Sequence, residues 1–256
     1  MQDKRIILLA GKWDTTPIVY NFLQDHFGVE KVLLEEGVPR REFLKKRIKK
    51  LGWITVSGQV LFQVFIGKLL NKTSRKRINE IAREYSLTRK PIPGEKIIYL
   101  SSVNSDNCLS ELQQLQPDLV IVHGTRIISK KILNGVKATF INIHAGITPR
   151  YRGSHGAYWA LANNDAEHCG VTVHMVDAGI DTGNVLFQER IPVTRKDNFA
   201  TYSYLQLAVG LQLLKKAMEQ FFEKKLTPVE NKLNSALWHH PTLWGYLSRR
   251  IFKGVK

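Results

Sequence analysis

An asparagine and a histidine close an otherwise apolar run in the segment FINIHAGITPRYRG, residues 140–153. Asn142 and His144 lie two residues apart, so a strand would place both side chains on one face. An amide N–H and an imidazole N–H can both stabilise an oxygen on which negative charge develops. The alternative is a histidine satisfied by backbone groups beside an asparagine that makes a turn. The pair alone leaves both interpretations open.

A second irregular stretch, VDAGIDTGNV, follows at residues 176–185 between two predicted strands. It carries Asp177 and Asp181 among glycines, and glycine lets the backbone approach a ligand closely. Taken singly, each aspartate is typical of a turn. Together with the first motif, the stretch could place a carboxylate beside the imidazole of His144.

The elements around these residues alternate between strand and helix. Ile6–Ala10 is a continuous apolar run, as expected of a strand buried on both faces, and a helical pattern over Ile18–Phe27 follows. This order predicts a Rossmann-like, doubly wound α/β fold with a mostly parallel sheet. We expect a main domain over residues 1–225 with an inserted basic helical segment at about 38–92, and a short C-terminal extension at 226–256. Open sheets of this kind bind ligands at the carboxyl ends of their strands.

The positive charge is concentrated in that insert. The chain has a formal net charge of +16, and residues 40–90 alone hold 15 basic and 3 acidic side chains. Such a patch indicates an anionic partner, which could be a nucleotide, a nucleic acid or an acidic membrane surface. The alternative is a solvated basic face. The apolar stretch 52–70 inside it is too short and too interrupted for a membrane span; we expect it to pack on the domain core, with an interfacial position on a membrane as the alternative.

Other residues give weaker signals. Cys108 and Cys169 lie in unrelated contexts, so neither a zinc site nor any other metal site is expected. The N-terminal apolar run is a strand rather than a signal peptide, so the expected location is cytoplasmic, with a peripheral position at the inner membrane face as a variant. The remaining histidines are expected to be ordinary, although His123 could line a ligand site at the end of its strand.

The two motifs together resemble the folate-dependent formyltransferase family. That family carries Asn-x-His-x-x-x-x-Pro, then Arg/Lys-x-x-Gly, then a loop ending in Asp-x-Gly, and these stand here in order at residues 142–149, 150–153 and 181–183. The match is close over residues 118–195 and looser over the N-terminal half. The resemblance implies a catalytic trio of Asn142, His144 and Asp181, with 10-formyltetrahydrofolate as formyl donor and no metal.

The resemblance also implies where the pterin would bind, between the loop before the catalytic strand and the loop before Asp181. The residues expected there are Gly124, Thr125, Arg126, Ile127, Val176, Asp177 and Gly179. Asn142 and a protonated His144 would stabilise the oxyanion, and Asp181 would favour the imidazolium and accept the proton of the attacking amine.

Departures from the family's sequence patterns narrow the choice of acceptor amine. The segment AGKWDTTP lacks the glycine-rich phosphate loop of glycinamide ribonucleotide formyltransferases, and some 30 residues after the last long helix are too few for the C-terminal barrel of methionyl-tRNA formyltransferases. We therefore expect an amino sugar on a nucleotide or lipid carrier, with tRNA as the less favoured acceptor. The residues expected to bind it are Arg150, Arg152, His155 and Tyr158, unless Tyr158 packs inside a helix.

Two further alternatives stay open. The chain could be a non-catalytic binder of nucleotides or polyanions, although such a binder would not need all three of Asn142, His144 and Asp181. It could also hydrolyse the formyl donor to formate.

Overall fold

A seven-stranded sheet organises the computed structural model, which describes residues 4–256. The strands in chain order are β1 (Ile6–Gly11), β2 (Lys31–Glu35), β3 (Ile97–Leu100), β4 (Leu119–His123), β5 (Thr139–His144), β6 (Arg152–Gly153), β7 (Gly170–Met175), β8 (Val185–Arg190) and β9 (Leu237–Trp238). The main sheet has the order β3-β2-β1-β4-β5-β7-β8, and β6 pairs with β9 in a separate small sheet. Strands β1 to β5 run parallel, whereas β7 and β8 are antiparallel to their neighbours.

Helices cover both faces of this sheet. They are α1 (Thr16–His26), α2 (Arg40–Leu51), α3 (Trp53–Leu61), α4 (Lys68–Thr73), α5 (Arg75–Glu84), α6 (Asp106–Leu115), α7 (Lys130–Gly135), α8 (Gly156–Ala162), α9 (Phe199–Phe222) and α10 (Leu243–Lys253). Alternate residues of β1 enter two separate cores, with Leu8 in one and Leu9 in the other. Each core is closed by helices, which is why β1 is apolar throughout rather than alternating. The predicted Rossmann-like α/β fold is confirmed.

Local sequence signals fix several helix starts. Ser105 caps α6 by accepting a hydrogen bond from the Cys108 N–H, and Asn198 caps α9 together with Thr201. Pro17 occupies the first turn of α1, where its missing N–H costs no hydrogen bond.

The basic insert forms helices α2 to α5. A π-helical turn (Phe62–Gly67) joins α3 to α4, so that Trp53–Thr73 is one helix of 21 residues, in which an 18-residue window has a mean hydropathy of 1.4. The helix continues past residue 70, so by length and composition alone it could cross a membrane, which was not expected of the stretch 52–70. The expected packing on the core is met along one side only, where Val56 and Phe62 are buried.

Buried polar contacts anchor the far end of the insert. The Arg77 guanidinium donates to Asp197 through Nε (2.8 Å) and Nη2 (3.2 Å), and the side chain of Asp197 is fully buried. Ser74, at the start of α5, exchanges hydrogen bonds with Asn198. The insert is thus attached to the loop that begins α9.

The C-terminal segment returns to the main domain. β9 pairs with β6, and Tyr246 of α10 joins the larger core, where it stacks on Tyr158. The division near residue 225 stays a prediction, although α9 does end at Phe222.

Candidate active site

A cavity of about 480 Å³ opens at the carboxyl ends of β4 and β5. Its volume lies within the range of small-molecule sites. The chain segments that line it come from the β4 end and following loop, the end of β5, the turn at β6, the loop between β7 and β8, and β9: Val122–Ile128, Asn142–Ala145, Gly153–Ser154, His174, Val176–Asp177, Gly179–Asp181 and Leu237–His239. The cavity therefore lies where the sheet order was expected to place a ligand.

His144 and Asp181 meet on one wall of this cavity. Nδ1 of His144 lies 3.2 Å from Oδ2 of Asp181, and Nε2 of His144 lies 2.8 Å from the carbonyl oxygen of Tyr151. Because a carbonyl can only accept, Nε2 carries a proton, and a second proton on Nδ1 would complete the contact with the carboxylate. Both ring nitrogens are thus paired with protein groups. This differs from the expectation that His144 directs an N–H at the reacting oxygen.

The environment favours the ionic form of this pair. Burial alone would lower the pKa of His144, but the charge of Asp181 and the hydrogen bonds to Asp181 and Tyr151 outweigh it and raise that pKa. Burial would raise the pKa of Asp181, yet the His144 charge and hydrogen bonds from His144 and the Gly153 N–H lower it to about 2. Both shifts favour an imidazolium beside a carboxylate.

Asn142 is oriented by His174 across the antiparallel pair β5–β7. The two residues are register partners, and Nδ2 of Asn142 lies 3.1 Å from Nε2 of His174. Nδ1 of His174 donates to the Met175 carbonyl (2.7 Å), so the neutral ring presents an unprotonated Nε2 that accepts from Asn142. Burial and then the charge of His144 lower the pKa of His174, which maintains this tautomer. The second N–H of Asn142 is left for a ligand.

The carboxylate of Asp181 keeps one oxygen available. Its Oδ2 accepts from His144 and from the Gly153 N–H (3.0 Å), while Oδ1 lies 3.8 Å from Nε2 of His174. Asp181 itself adopts a left-handed φ of 51°, which turns its side chain back into the cavity. The arrangement combines an amide donor, a nearby cation and a free carboxylate oxygen, which suits attack of an amine on a carbonyl carbon.

All of the residues expected to bind the pterin line the cavity, in two loops. Gly124 has a φ of 63°, which favours glycine, and its carbonyl accepts from Trp13 Nε1 at 2.7 Å. The guanidinium of Arg126 pairs with Glu35 (2.8 Å) and donates to the carbonyls of Glu36 and Ser101. The Arg126 side chain therefore orders its loop, and the exposed backbone is what the loop offers a ligand.

The four residues expected to bind the acceptor do not line the cavity. Arg150 pairs with Asp165 (2.6 Å), and Tyr158 is 1% exposed in the core, so neither offers a free group to the cavity. His155 lies 2.9 Å from Nδ1 of His240 and packs on Phe199. Arg152 donates to the carbonyl of Ile180 (3.0 Å) and so holds the loop that carries Asp181. The helix α8 explains the positions of His155 and Tyr158, because it turns the segment after Ser154 inward.

Three residues at the cavity were not anticipated. His174 appeared ordinary in sequence, although alternation with the buried Thr172 on the same strand face was a usable signal. Trp238 and His239 reach the cavity because β9 pairs with β6, which no local pattern indicated. His123 lines the cavity at the end of β4, where it lies 2.9 Å from Thr15 Oγ1.

Metal ligands are not gathered at this site. Across residues 4–256, no group of three or more His, Cys, Asp or Glu side chains is arranged to hold a metal ion.

Comparison with known protein sequences shows the family of this chain. Residues 66–217, more than half of the 256-residue chain, match the formyl transferase family model, so the chain belongs to that family. The resemblance expected from the two motifs is confirmed. A methionyl-tRNA formyltransferase from Thermodesulfovibrio yellowstonii is 31% identical over 164 residues, covering 60% of this chain and 52% of that protein. The chain thus spans about half the length of the curated relatives it matches.

Solved structures share the fold. The N-formyltransferase from Helicobacter canadensis, in complex with folinic acid and dTDP-3-aminofucose, has a TM-score of 0.55 and 17% identity, covering 91% of this chain and 70% of that one. Phosphoribosylglycinamide formyltransferase from Streptococcus pneumoniae has a TM-score of 0.53 and 20% identity, covering 86% and 99%. At these identities the likeness establishes the architecture and leaves the acceptor open.

Proposed function

We propose that this protein transfers a formyl group from 10-formyltetrahydrofolate to the amino group of a phosphate-bearing amino sugar, carried on a nucleotide or a lipid. The observation that carries the proposal is the cluster of Asn142, His144 and Asp181 at the rim of one open cavity. Family membership supports the reaction class. The folate would supply the formyl group, and the backbone of the loops at 124–127 and 176–179 would hold its pterin.

Each side chain has a distinct role in this proposal. The free N–H of Asn142 donates to the formyl oxygen as negative charge develops there, and the imidazolium of His144 stabilises that charge from nearby. Oδ1 of Asp181 accepts the proton that the amine loses, directly or through water. His174 acts through Asn142 and is a positioning residue.

Positive charge near the cavity supports a phosphate-bearing acceptor. His239 lines the cavity, and its pKa is lowered by burial and then by the charges of Arg47 and Lys50 on α2. Hydrogen bonds link Arg47 to this wall, because Arg47 donates to Gln59 (2.8 Å) and Gln59 donates to the carbonyl of His240 (2.8 Å), the residue after His239. We therefore propose that an acceptor phosphate binds near α2 and β9 rather than at the segment 150–158.

A competing acceptor is methionyl-tRNA, because the curated sequence relatives are named methionyl-tRNA formyltransferases. The matched regions cover about half of those proteins. The complex of the Helicobacter canadensis N-formyltransferase with dTDP-3-aminofucose supports a nucleotide-linked amino sugar as the preferred acceptor.

The test offers the purified protein 10-formyltetrahydrofolate with separate acceptors and follows the mass gain of one formyl group. The panel contains nucleotide-linked amino sugars, a polyprenyl-phosphate amino sugar, glycinamide ribonucleotide and methionyl-tRNA. We expect product only with an amino sugar, and loss of product in His144→Ala, while the surface variant Lys137→Ala keeps the activity. Product with methionyl-tRNA alone would replace the proposed acceptor. Ligand binding without product from any acceptor would make the chain a binder, and formate release without acceptor would make it a hydrolase.

A further inference from the structure

An apolar surface lies exposed on the insert. Along Trp53–Thr73, only 22% of the most apolar 18-residue window is buried. The exposed side chains of this helix are large: Trp53, Ile54, Leu61, Val64, Phe65 and Leu69. Trp53 is 68% and Phe65 60% exposed. A helix of a water-soluble domain rarely leaves so many aromatic and aliphatic groups in solvent.

Helix α10 extends this surface. The stripe of α3 that contains Ile54 and Leu61 also contains Gly58, and the ring of Trp244 covers Gly58 so closely that a Cβ there would lie 2.3 Å from it. Trp244 is itself half exposed, and Leu247 and Ile251 follow it at helical spacing with exposed side chains. Phe252 is 82% exposed. We call the exposed apolar residues of Trp53–Thr73 and α10 the insert face.

Cations border the insert face at both ends of the long helix. Helix α2, on its N-terminal side, carries seven: Arg40, Arg41, Lys45, Lys46, Arg47, Lys49 and Lys50. Of these seven cations, Lys46 is the one that forms an ion pair within residues 4–256, and its partner is Glu42. Lys72, Arg75 and Lys76 follow at the other end, and Arg250 and Lys253 lie in the last turn of α10.

Exposed apolar side chains bordered by cations indicate what kind of partner binds the insert face. The cores of protein–protein interfaces are depleted in lysine, whereas helices that lie in a membrane interface combine Trp, Phe and Leu on one side with Lys and Arg on the other. The net charge of +12 over residues 40–90, from 15 basic and 3 acidic side chains, complements anionic lipid headgroups.

We propose that the insert face docks on the surface of an anionic lipid bilayer, with its apolar side chains in the acyl boundary and its cations among the headgroups. The helix lies in the interface rather than across it, because Val56, Gln59 and Phe62 are buried against the domain and Gln59 donates to the His240 carbonyl. Docking would place α2, and with it the cavity wall at His239, next to the membrane. The proposal concerns binding alone and does not depend on formyl transfer.

The test measures sedimentation with phosphatidylcholine vesicles that contain or lack phosphatidylglycerol, at low and high salt. We expect binding to the anionic vesicles, weaker binding in high salt and almost none to neutral vesicles. Ile54→Glu with Phe65→Glu should lower the partition coefficient at least ten-fold, and Lys45→Ala and Lys49→Ala about five-fold each. Thermal unfolding establishes that the variants are folded.

The matched control variants change residues that lie outside the insert face. Tyr99→Glu changes an aromatic side chain that is 62% exposed on the edge strand β3, and Lys130→Ala with Lys137→Ala removes two exposed cations near α7. These controls, and the catalytic variant His144→Ala, should bind vesicles as the wild type does. Equal binding to neutral vesicles, or unchanged binding of Ile54→Glu/Phe65→Glu, would overturn the proposal. So would a wild-type dimer that this double variant converts to monomer without any vesicle binding, because the face would then join two copies.

Discussion

His144 and Asp181 form a buried contact, with Nδ1 of the ring 3.2 Å from Oδ2 of the carboxylate. The contact is built by three separate segments, since the Gly153 N–H donates to the same oxygen and the Tyr151 carbonyl accepts from the other ring nitrogen. A change in any of these segments alters the charge of the imidazole as well as its position.

Replacing Asp181 by Asn should change how the free energy of unfolding depends on pH. The pKa of Asp181 falls to about 2 in the folded chain, so its contribution is present above about pH 4 and is lost as the pH falls toward 2. The pKa of His144 is raised, so its contribution is complete below about pH 6.5 and is lost as the pH rises through the folded value. The free energy of unfolding of the wild type should therefore exceed that of Asp181→Asn by the largest amount, about 2 kcal/mol, between about pH 4 and pH 6.5.

Urea unfolding of both proteins across that range provides the measurement. A stability difference that stays constant from acid to alkaline pH would contradict the ionic pair.

Asn142→Ala should lower kcat for formyl transfer by roughly 10²–10³-fold, because it removes the proposed oxyanion donor. Folate binding should change little, since the loops at 124–127 and 176–179 are intact. Steady-state kinetics with a fluorescence titration of the folate separates the two effects. If the variant loses folate affinity and keeps kcat, Asn142 is a binding residue instead.

His174→Ala tests whether His174 holds the side-chain amide of Asn142 in position. Without the acceptor at Nε2, the Asn142 side chain can rotate, and kcat should fall by less than in Asn142→Ala. The double variant should be no slower than Asn142→Ala alone, because residues that act through one group are not additive. Independent, multiplicative losses would show that His174 acts without Asn142.

Local patterns predicted the sheet, whereas the family resemblance implied the trio of Asn142, His144 and Asp181. Continuous apolar runs identified the parallel strands, and the polar ends of the motifs at 142–144 and 177–181 identified where loops would converge. The acceptor region was harder to predict, because Tyr158 and His155 look like ligand groups in sequence. Tyr158 is instead buried in α8, and His155, at the start of that helix, contacts His240. Whether an aromatic residue stacks on a ligand or on Tyr246 depends on packing distant in the chain.

Other features required contacts that no local pattern encodes. The Asn142–His174 pair depends on the register of β5 against an antiparallel strand, and the chain gives no turn signal that sets this register. Trp238 reaches the cavity only through the pairing of β6 with β9. The exposed face of Trp53–Thr73 was underestimated, because apolar composition in a globular protein ordinarily predicts burial.

Gly153→Ala should weaken both the small sheet and the active site. Gly153 has a φ of 90°, and a Cβ there would lie 2.4 Å from the Trp238 carbonyl oxygen. The left-handed conformation alone costs an L residue about 1–2 kcal/mol, and the clash adds to it. The strain would also displace the N–H that donates to Asp181.

Gly94→Ala is the matched control, because no atom lies within 4 Å of its Cβ position and its stability should change by less than about 0.5 kcal/mol. Chemical unfolding and kcat are measured for both variants. Equal effects at the two glycines would show that the contact with Trp238 is unimportant.

Arg77→Met should destabilise the protein by about 3 kcal/mol, because it leaves the fully buried carboxylate of Asp197 without its cation. Thr194 still donates to Asp197 through its N–H and hydroxyl, which keeps the loss toward the lower end of what breaking a buried pair costs. Lys46→Ala breaks the exposed pair with Glu42 and should leave the stability nearly unchanged. Urea unfolding compares the two variants, and limited proteolysis reports whether α5 has separated from the start of α9. A small loss in Arg77→Met, close to that in Lys46→Ala, would mean that apolar packing of Ile78 and Ile81 holds the insert on the domain without the ion pair.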